Sequence, residues 1–175
     1  MPPPKVQAKF IEPMLLLPGQ TLPEGTDWIF ELKLDGYRAV AFKTSSKVHF
    51  RSRNDKDFSA KYPAIAKALA SMPDETVIDG EIVALEAGRP SFNALQNHGA
   101  ATGQIFFYVF DIMVAAGEDV MARPLEARRE ILRCRVLSQL ADPIRESPVL
   151  EAHPTGINSL SESAGAGGPG CQAPG

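Results

Sequence analysis

Trp28-Ile29-Phe30-Glu31-Leu32-Lys33-Leu34-Asp35-Gly36-Tyr37-Arg38-Ala39-Val40-Ala41-Phe42-Lys43 alternates before it turns. Trp28, Phe30, Leu32 and Leu34 fall on one face and Ile29, Glu31 and Lys33 on the other, which is the two-residue period of a strand. Asp35-Gly36 is a strong two-residue hairpin signal, so Tyr37 to Lys43 is expected to return as the paired strand. Working outward, Lys47 to Ser52 supplies a third strand after the Ser45-Ser46 turn, and the first half is expected to begin as an antiparallel meander.

Downstream, Tyr62 to Met72 is expected as a helix, with Pro63 suited to its first turn and an Ala-rich remainder. Thr76 to Leu85 is rich in branched residues and is expected as a strand carrying Asp79 and Glu81 on a common face. Ser91 to His98 is expected as a short helix capped by Ser91. Ile105 to Val114 is an apolar, aromatic run that fits a buried strand, and Pro124 to Leu140 fits a basic amphipathic helix. Strands in succession with helices interspersed point to an α+β fold with antiparallel sheets and flanking helices. From about His153 the composition changes, and residues 159 to 175 offer almost nothing to bury, so a disordered C-terminal tail is expected.

The 175 residues are 44% apolar, enough for a core, and carry 18 basic against 21 acidic side chains. Net charge therefore gives no basic footprint of the kind nucleic-acid binding usually leaves. Residues 1 to 62 hold ten basic and seven acidic side chains, so the first third is mildly positive. Cys134 and Cys171 have no metal or disulfide-framework spacing and are expected as unpaired thiols. No apolar run is long enough to cross a bilayer, and the Pro-rich opening lacks a signal peptide's hydrophobic core. The expectation is a soluble, cytoplasmic monomer.

Chemistry concentrates at Glu31-Leu32-Lys33-Leu34-Asp35-Gly36-Tyr37-Arg38, a lysine at a strand end beside a tight turn with an arginine just after it. Taken alone, this segment is equally a solvated hairpin tip. A lysine amine becomes a nucleophile only when burial or neighbouring cations release its proton. Similarly, Phe110 by itself could be ordinary core, Arg53 a surface charge in the run Arg51 to Lys56, and Glu81 a strand-edge carboxylate. Asp79 and Asp111 could be turn or capping groups.

The pattern Lys-x-Asp-Gly-x-Arg at Lys33 to Arg38 resembles the opening motif of the covalent nucleotidyltransferases, the superfamily of DNA ligases, RNA ligases and capping enzymes. Three further stretches follow in the family's order: Ser52-Arg53-Asn54 with Asp57-Phe58, Val77-Ile78-Asp79-Gly80-Glu81, and Phe107-Tyr108-Val109-Phe110-Asp111. The opening Phe10-Ile11-Glu12-Pro13-Met14-Leu15 and the stretch Pro124-Leu125-Glu126-Ala127-Arg128-Arg129 look like the ligase modules of bacterial nonhomologous end-joining enzymes. Over residues 8 to 150 the chain thus resembles part of the adenylation domain of an ATP-dependent DNA ligase, an ATP-grasp-like nucleotidyltransferase fold.

The resemblance implies that Lys33 attacks the α-phosphate of ATP to give lysyl-AMP. It further implies that Glu31 accepts from the adenine amino group, that Arg38 and Arg53 hold ribose and phosphate oxygens, that Glu81 bonds the ribose hydroxyl and that Phe110 stacks on adenine. ATP and Mg2+ are the implied cofactors and DNA the implied partner, with no metal ligand identified. RNA ligase or capping chemistry shares the opening motif and would be told apart by substrate, GTP in place of ATP marking a capping enzyme.

The Glu-Gly-x-Val-x-Lys motif of the family does not occur in the sequence, and neither does an oligonucleotide-binding domain. Allowed codons for residues 167 to 174, read one base later, can spell Glu-Gly-Leu-Val-Ala-Lys-Arg. The expectation is therefore that residues 1 to 152 are the N-terminal portion of the adenylation domain and residues 153 to 175 an out-of-frame tail. Such a chain is expected to be an inactive truncation of a ligase that seals DNA nicks or breaks through lysyl-AMP, with a non-catalytic ATP-binding remnant as the alternative.

Overall fold

The computed structural model describes residues 4–19, 21, 23, 25, 28–97 and 104–150. In chain order its strands and helices are β1 Phe30–Glu31, β2 Tyr37–Thr44, β3 Lys47–Ser52, α1 Pro63–Ala68, β4 Thr76–Glu86, β5 Arg89–Pro90, α2 Phe92–Gln96, β6 Gln104–Ala115, β7 Glu118–Asp119, α3 Leu125–Ile131, β8 Ile144–Glu146 and β9 Val149–Leu150. The chain divides into two compact units, one of Met1–Met14 with Lys33–Ser147 and one of Leu15–Leu32 with Pro148–Gly175.

The larger unit is built on one sheet in the order β3-β2-β4-β6-β7, with β5 beside β4 and β8 parallel to β6. β2 runs antiparallel to both β3 and β4, and β4 antiparallel to β6. The β2–β3 connection is tight because Ser45 and Ser46 both take positive φ, 48° and 63°, as the mirror-image hairpin turns require. Central strands of this sheet are buried on both faces. Ala39, Ala41, Ile78, Ile82, Phe107 and Ile112 pack with Leu69, Leu95, Ile131 and Leu132 from the helical side. Val40, Phe42, Val77, Met113 and Val114 face the other way, where Ala8, Val6, Phe10 and Ile11 of the N-terminal segment cover them. Two buried faces explain why β2 and β6 read as nearly continuous apolar runs rather than as clean alternations.

That N-terminal strap is fastened by polar contacts. Val6 N–H donates to the Gly117 carbonyl at 2.8 Å, and Ala8 N–H donates to Glu75 Oε2 at 2.6 Å. The Glu75 carboxylate also accepts from the Thr44 hydroxyl at 2.9 Å and Ser45 N–H at 3.2 Å, and the Ala8 N–H, the foremost of these donors, holds its pKa below the ordinary value.

The helices follow their sequence signals. Pro63 opens α1, which tightens into a 3-10 turn at Leu69–Ser71. The Ser91 hydroxyl accepts from Ala94 N–H at 3.2 Å and so caps α2. After Pro124 the expected single helix is instead α3 followed by a π-helical stretch Leu132–Val136 and a 3-10 turn Leu137–Gln139. None of the helices among the described residues is long and apolar enough to cross a membrane. Cys134, expected as an unpaired thiol, is not free. The expected tail lies outside the described residues.

The expected hairpin is overturned as well. Trp28 to Leu34 does not pair with Tyr37 to Lys43: its only strand is β1, which belongs to the smaller unit and pairs antiparallel with β9, Phe30 opposite Leu150 and Glu31 opposite Val149. Both edges of β2 are already taken by β3 and β4, leaving no ladder for a third neighbour. Gly36 serves close approach rather than a hairpin: a Cβ there would lie 2.0 Å from the Ile82 carbonyl oxygen.

Candidate active site

Where β2, β4 and β6 run side by side in the larger unit, three of the six residues singled out by sequence come together: Arg38, Glu81 and Phe110. Arg38 on β2 is the register partner of Glu81 on β4. Its guanidinium grips buried Asp79 as a fork, Nε to Oδ1 at 2.7 Å and Nη2 to Oδ2 at 2.6 Å, and Nη2 also reaches the Met14 carbonyl at 3.3 Å. Nη1 has no partner among the described residues, so its two N–H groups remain available as donors.

Burial opposes the charge on Arg38, but hydrogen bonding and attraction from Asp79, with help from Glu81 and Asp111, leave its pKa raised. For Asp79 the balance differs. Desolvation dominates and raises its pKa, against the opposing pull of the Arg38 fork.

Glu81 is also raised by burial, against the Gly36 N–H that donates to its Oε1 at 3.0 Å and against the positive charges of Arg38 and Lys33. The exposed Lys33 is therefore within electrostatic reach of Glu81. Arg53 follows the end of β3 with an exposed side chain, and its backbone N–H donates to the Arg38 carbonyl at 3.1 Å. Glu31 lies on β1 in the smaller unit.

Phe110 owes its position to an irregularity. Asp79 pairs with Asp111 and Gly80 with Val109, so Phe110 is the extra residue of a β-bulge in β6. A bulge re-aims a side chain out of the regular alternation. Phe110 is accordingly half-buried, and the Arg38 guanidinium lies 4.5 Å from its ring centroid. The Gly80 opposite accommodates the irregular pairing, because a Cβ there would sit 2.4 Å from the Tyr108 carbonyl oxygen. That glycine in mid-strand was the available signal for the bulge.

Two residues left without a role by sequence prove central to this geometry. Asp79 holds Arg38, and Asp111 is held by Arg128 of α3 through Nε–Oδ1 and Nη2–Oδ2 contacts of 2.8 Å each. The basic character of the stretch after Pro124 did not single out Arg128 from Arg129, Arg133 and Arg135. Among the described residues no cluster of three or more His, Cys, Asp or Glu side chains could hold a metal ion.

The same stretch that forms this sheet matches a family model. Residues 13–154 fit the ATP dependent DNA ligase domain, and the chain belongs to that family. It is 37% identical over 150 residues to the multifunctional non-homologous end joining protein LigD of Pseudomonas aeruginosa, covering 83% of this chain and 18% of that protein. It is 30% identical over 171 residues to DNA ligase C of Mycobacterium tuberculosis, covering 90% of this chain and 47% of that protein. Among solved structures, the ligase domain of M. tuberculosis LigD superposes with a TM-score of 0.59 at 31% identity, over 71% of this chain and 41% of that one. A mycobacterial DNA ligase D complexed with ATP and MES gives 0.57 at 29% identity, over 70% and 40%. The chain thus spans less than half the length of each of these relatives. The resemblance to end-joining ligases and the α+β adenylation-domain fold expected from sequence are both borne out.

Proposed function

We propose that this chain carries the ATP side of a DNA ligase site and that Lys33 is its covalent acceptor. In this reading the Lys33 amine, once its ammonium proton has left, attacks the α-phosphate of ATP. A nitrogen–phosphorus bond forms, the bond to the β-phosphate oxygen breaks, and pyrophosphate departs. Arg38 donates from Nη1 to ribose or phosphate oxygens, and Arg53 adds a second guanidinium, a group well matched to phosphate geometry. Glu81 accepts from a ribose hydroxyl, and Phe110 offers the ring face not turned to Arg38 to the adenine. The observation that carries the proposal is the Arg38 guanidinium, fixed by Asp79 and Phe110 with two donors left over among the described residues and one strand from Glu81, a carboxylate that also feels the Lys33 charge.

A magnesium ion would offset phosphate charge during the attack. The described residues do not form a protein cage for it. We therefore assign it to the phosphates of incoming ATP, as Mg2+ is commonly held. DNA as the eventual acceptor, in the cytoplasm, and sealing of breaks in repair belong to the same reading of the longer proteins.

A second reading is that the chain binds ATP without transferring its adenylyl group. Intact-mass measurement after incubation with ATP and magnesium separates the two. An AMP adduct lost in Lys33→Ala supports transfer, whereas ATP binding with no adduct supports binding alone. Labelling by GTP in preference to ATP would instead move the assignment toward capping chemistry.

A further inference from the structure

Asp79 and Asp111 face one another across β4 and β6, and each is engaged by one arginine fork. The arrangement poses a question of choice. Asp111 is near enough to Arg38 to raise its pKa, so it is a second carboxylate competing for the same guanidinium. What prevents that competition is Arg128. Its Nε and Nη2 occupy both Asp111 oxygens, while its Nη1 donates to the Arg123 carbonyl at 2.7 Å, tying the fork to the turn before α3. Asp111 Oδ1 additionally accepts from its own neighbour, Ile112 N–H, at 2.8 Å. The carboxylate is thereby filled, and Arg38 stays on Asp79.

We infer that Arg128 is a positioning residue for the nucleotide site: by saturating Asp111 it reserves Nη1 of Arg38 for the ligand and steadies the bulge that presents Phe110. The inference rests on the nucleotide-site reading above. Without Arg128, Asp111 is a half-buried carboxylate beside an arginine with two free donors, and such a group recruits the nearest cation. Nη1 would turn to Asp111, and Phe110, adjacent in chain to Asp111 and stacked on Arg38, would move with it. Helix α3, which contributes none of the proposed ligand contacts, would in this way set the quality of the site.

A thermodynamic cycle between Arg38 and Arg128, read as the Kd of the whole chain for ATP without magnesium by titration calorimetry, tests this. Arg128→Gln is expected to weaken ATP binding roughly tenfold, the loss of about one charge-assisted contact. In an Arg38→Gln background the same change is expected to have no further effect, because the residue through which it acts is gone. A purely structural role for Arg128 predicts the same fold-loss in both backgrounds, and that result overturns the inference, as does an Arg128→Gln chain that binds like the parent. If Arg128→Gln does not fold, Arg128→Lys takes its place in the cycle: it keeps the charge without the fork, and a loss of two- to fivefold is expected only where Arg38 is present. A parent chain that binds no ATP refutes the nucleotide-site reading and this inference together, whereas parental binding that no Arg128 change alters removes the inference alone.

Discussion

Gly36→Ala should damage both the sheet and the site, and the structure sets the size of the effect. The new Cβ would lie 2.0 Å from the Ile82 carbonyl oxygen, 3.0 Å from its carbon and 3.1 Å from Glu81 Cγ. The first neighbour is backbone in the middle of β4, so no rotamer change relieves it. Even to reach 3.0 Å the two backbones must separate by about 1 Å, which stretches the 3.0 Å bond from Gly36 N–H to Glu81 beyond hydrogen-bonding distance. Forcing an extra carbon into a packed contact costs about 1–3 kcal/mol. Losing a hydrogen bond to a carboxylate adds about 1–2 kcal/mol, taken at the low end because Glu81 is only half-buried. Together these predict a destabilisation of about 2–5 kcal/mol, a large share of the ~5–15 kcal/mol that holds an ordinary domain together. Equilibrium unfolding in urea measures it as a lower midpoint at constant slope. If the start of β2 frays instead, the loss appears as faster amide exchange confined to residues near Gly36 and Ile82. A variant unchanged in both midpoint and exchange would refute the close-approach explanation of this glycine.

Ser91→Ala removes the cap on α2 and should cost about 0.5–2 kcal/mol, seen in the same urea titration; no change in midpoint would mean that the Ala94 N–H finds another acceptor. Glu75 gives a pH-dependent signature. Its pKa in the fold is lowered from the ordinary carboxylate value of 4.5, so its contribution is present above that value and is lost as pH falls through the lowered one. Protection of the Ala8 amide, taken relative to its intrinsic exchange rate at each pH, should therefore fall on that acid limb in the parent chain, and Glu75→Gln should remove this fall; an identical acid limb in the variant would show that another group fastens the strap.

Much of the larger unit was legible in the sequence because its local signals agree with its tertiary demands. The Ser45-Ser46 turn, the branched run of β4 and the Ser91 cap each satisfy a local rule and a packing requirement at once. What escaped was non-local. Trp28 to Leu34 has the period of a strand, yet alternation specifies a face and not a partner, and β1 pairs with β9 over a hundred residues away. Asp35-Gly36 resembles a turn, although the glycine answers to the Ile82 backbone, which no neighbouring residue reveals. At the site, motif resemblance picked out Arg38, Glu81 and Phe110, all three of which converge in the fold. It passed over Asp79 and Arg128, because the value of a buried carboxylate or a helix arginine depends on which guanidinium or carboxylate lies across from it. Gly80 hinted at an irregularity in β4, but which residue of β6 is the extra one is defined only against the register of the two strands.

The most direct test is peptide-level mass spectrometry of the chain after reaction with ATP and magnesium, under alkaline handling that preserves a nitrogen–phosphorus bond. An adenylyl group on the peptide containing Lys33, absent from Lys33→Ala and released by acid, is the predicted result. An unmodified Lys33, or an adenylyl group that persists elsewhere in the Lys33→Ala chain, would contradict it.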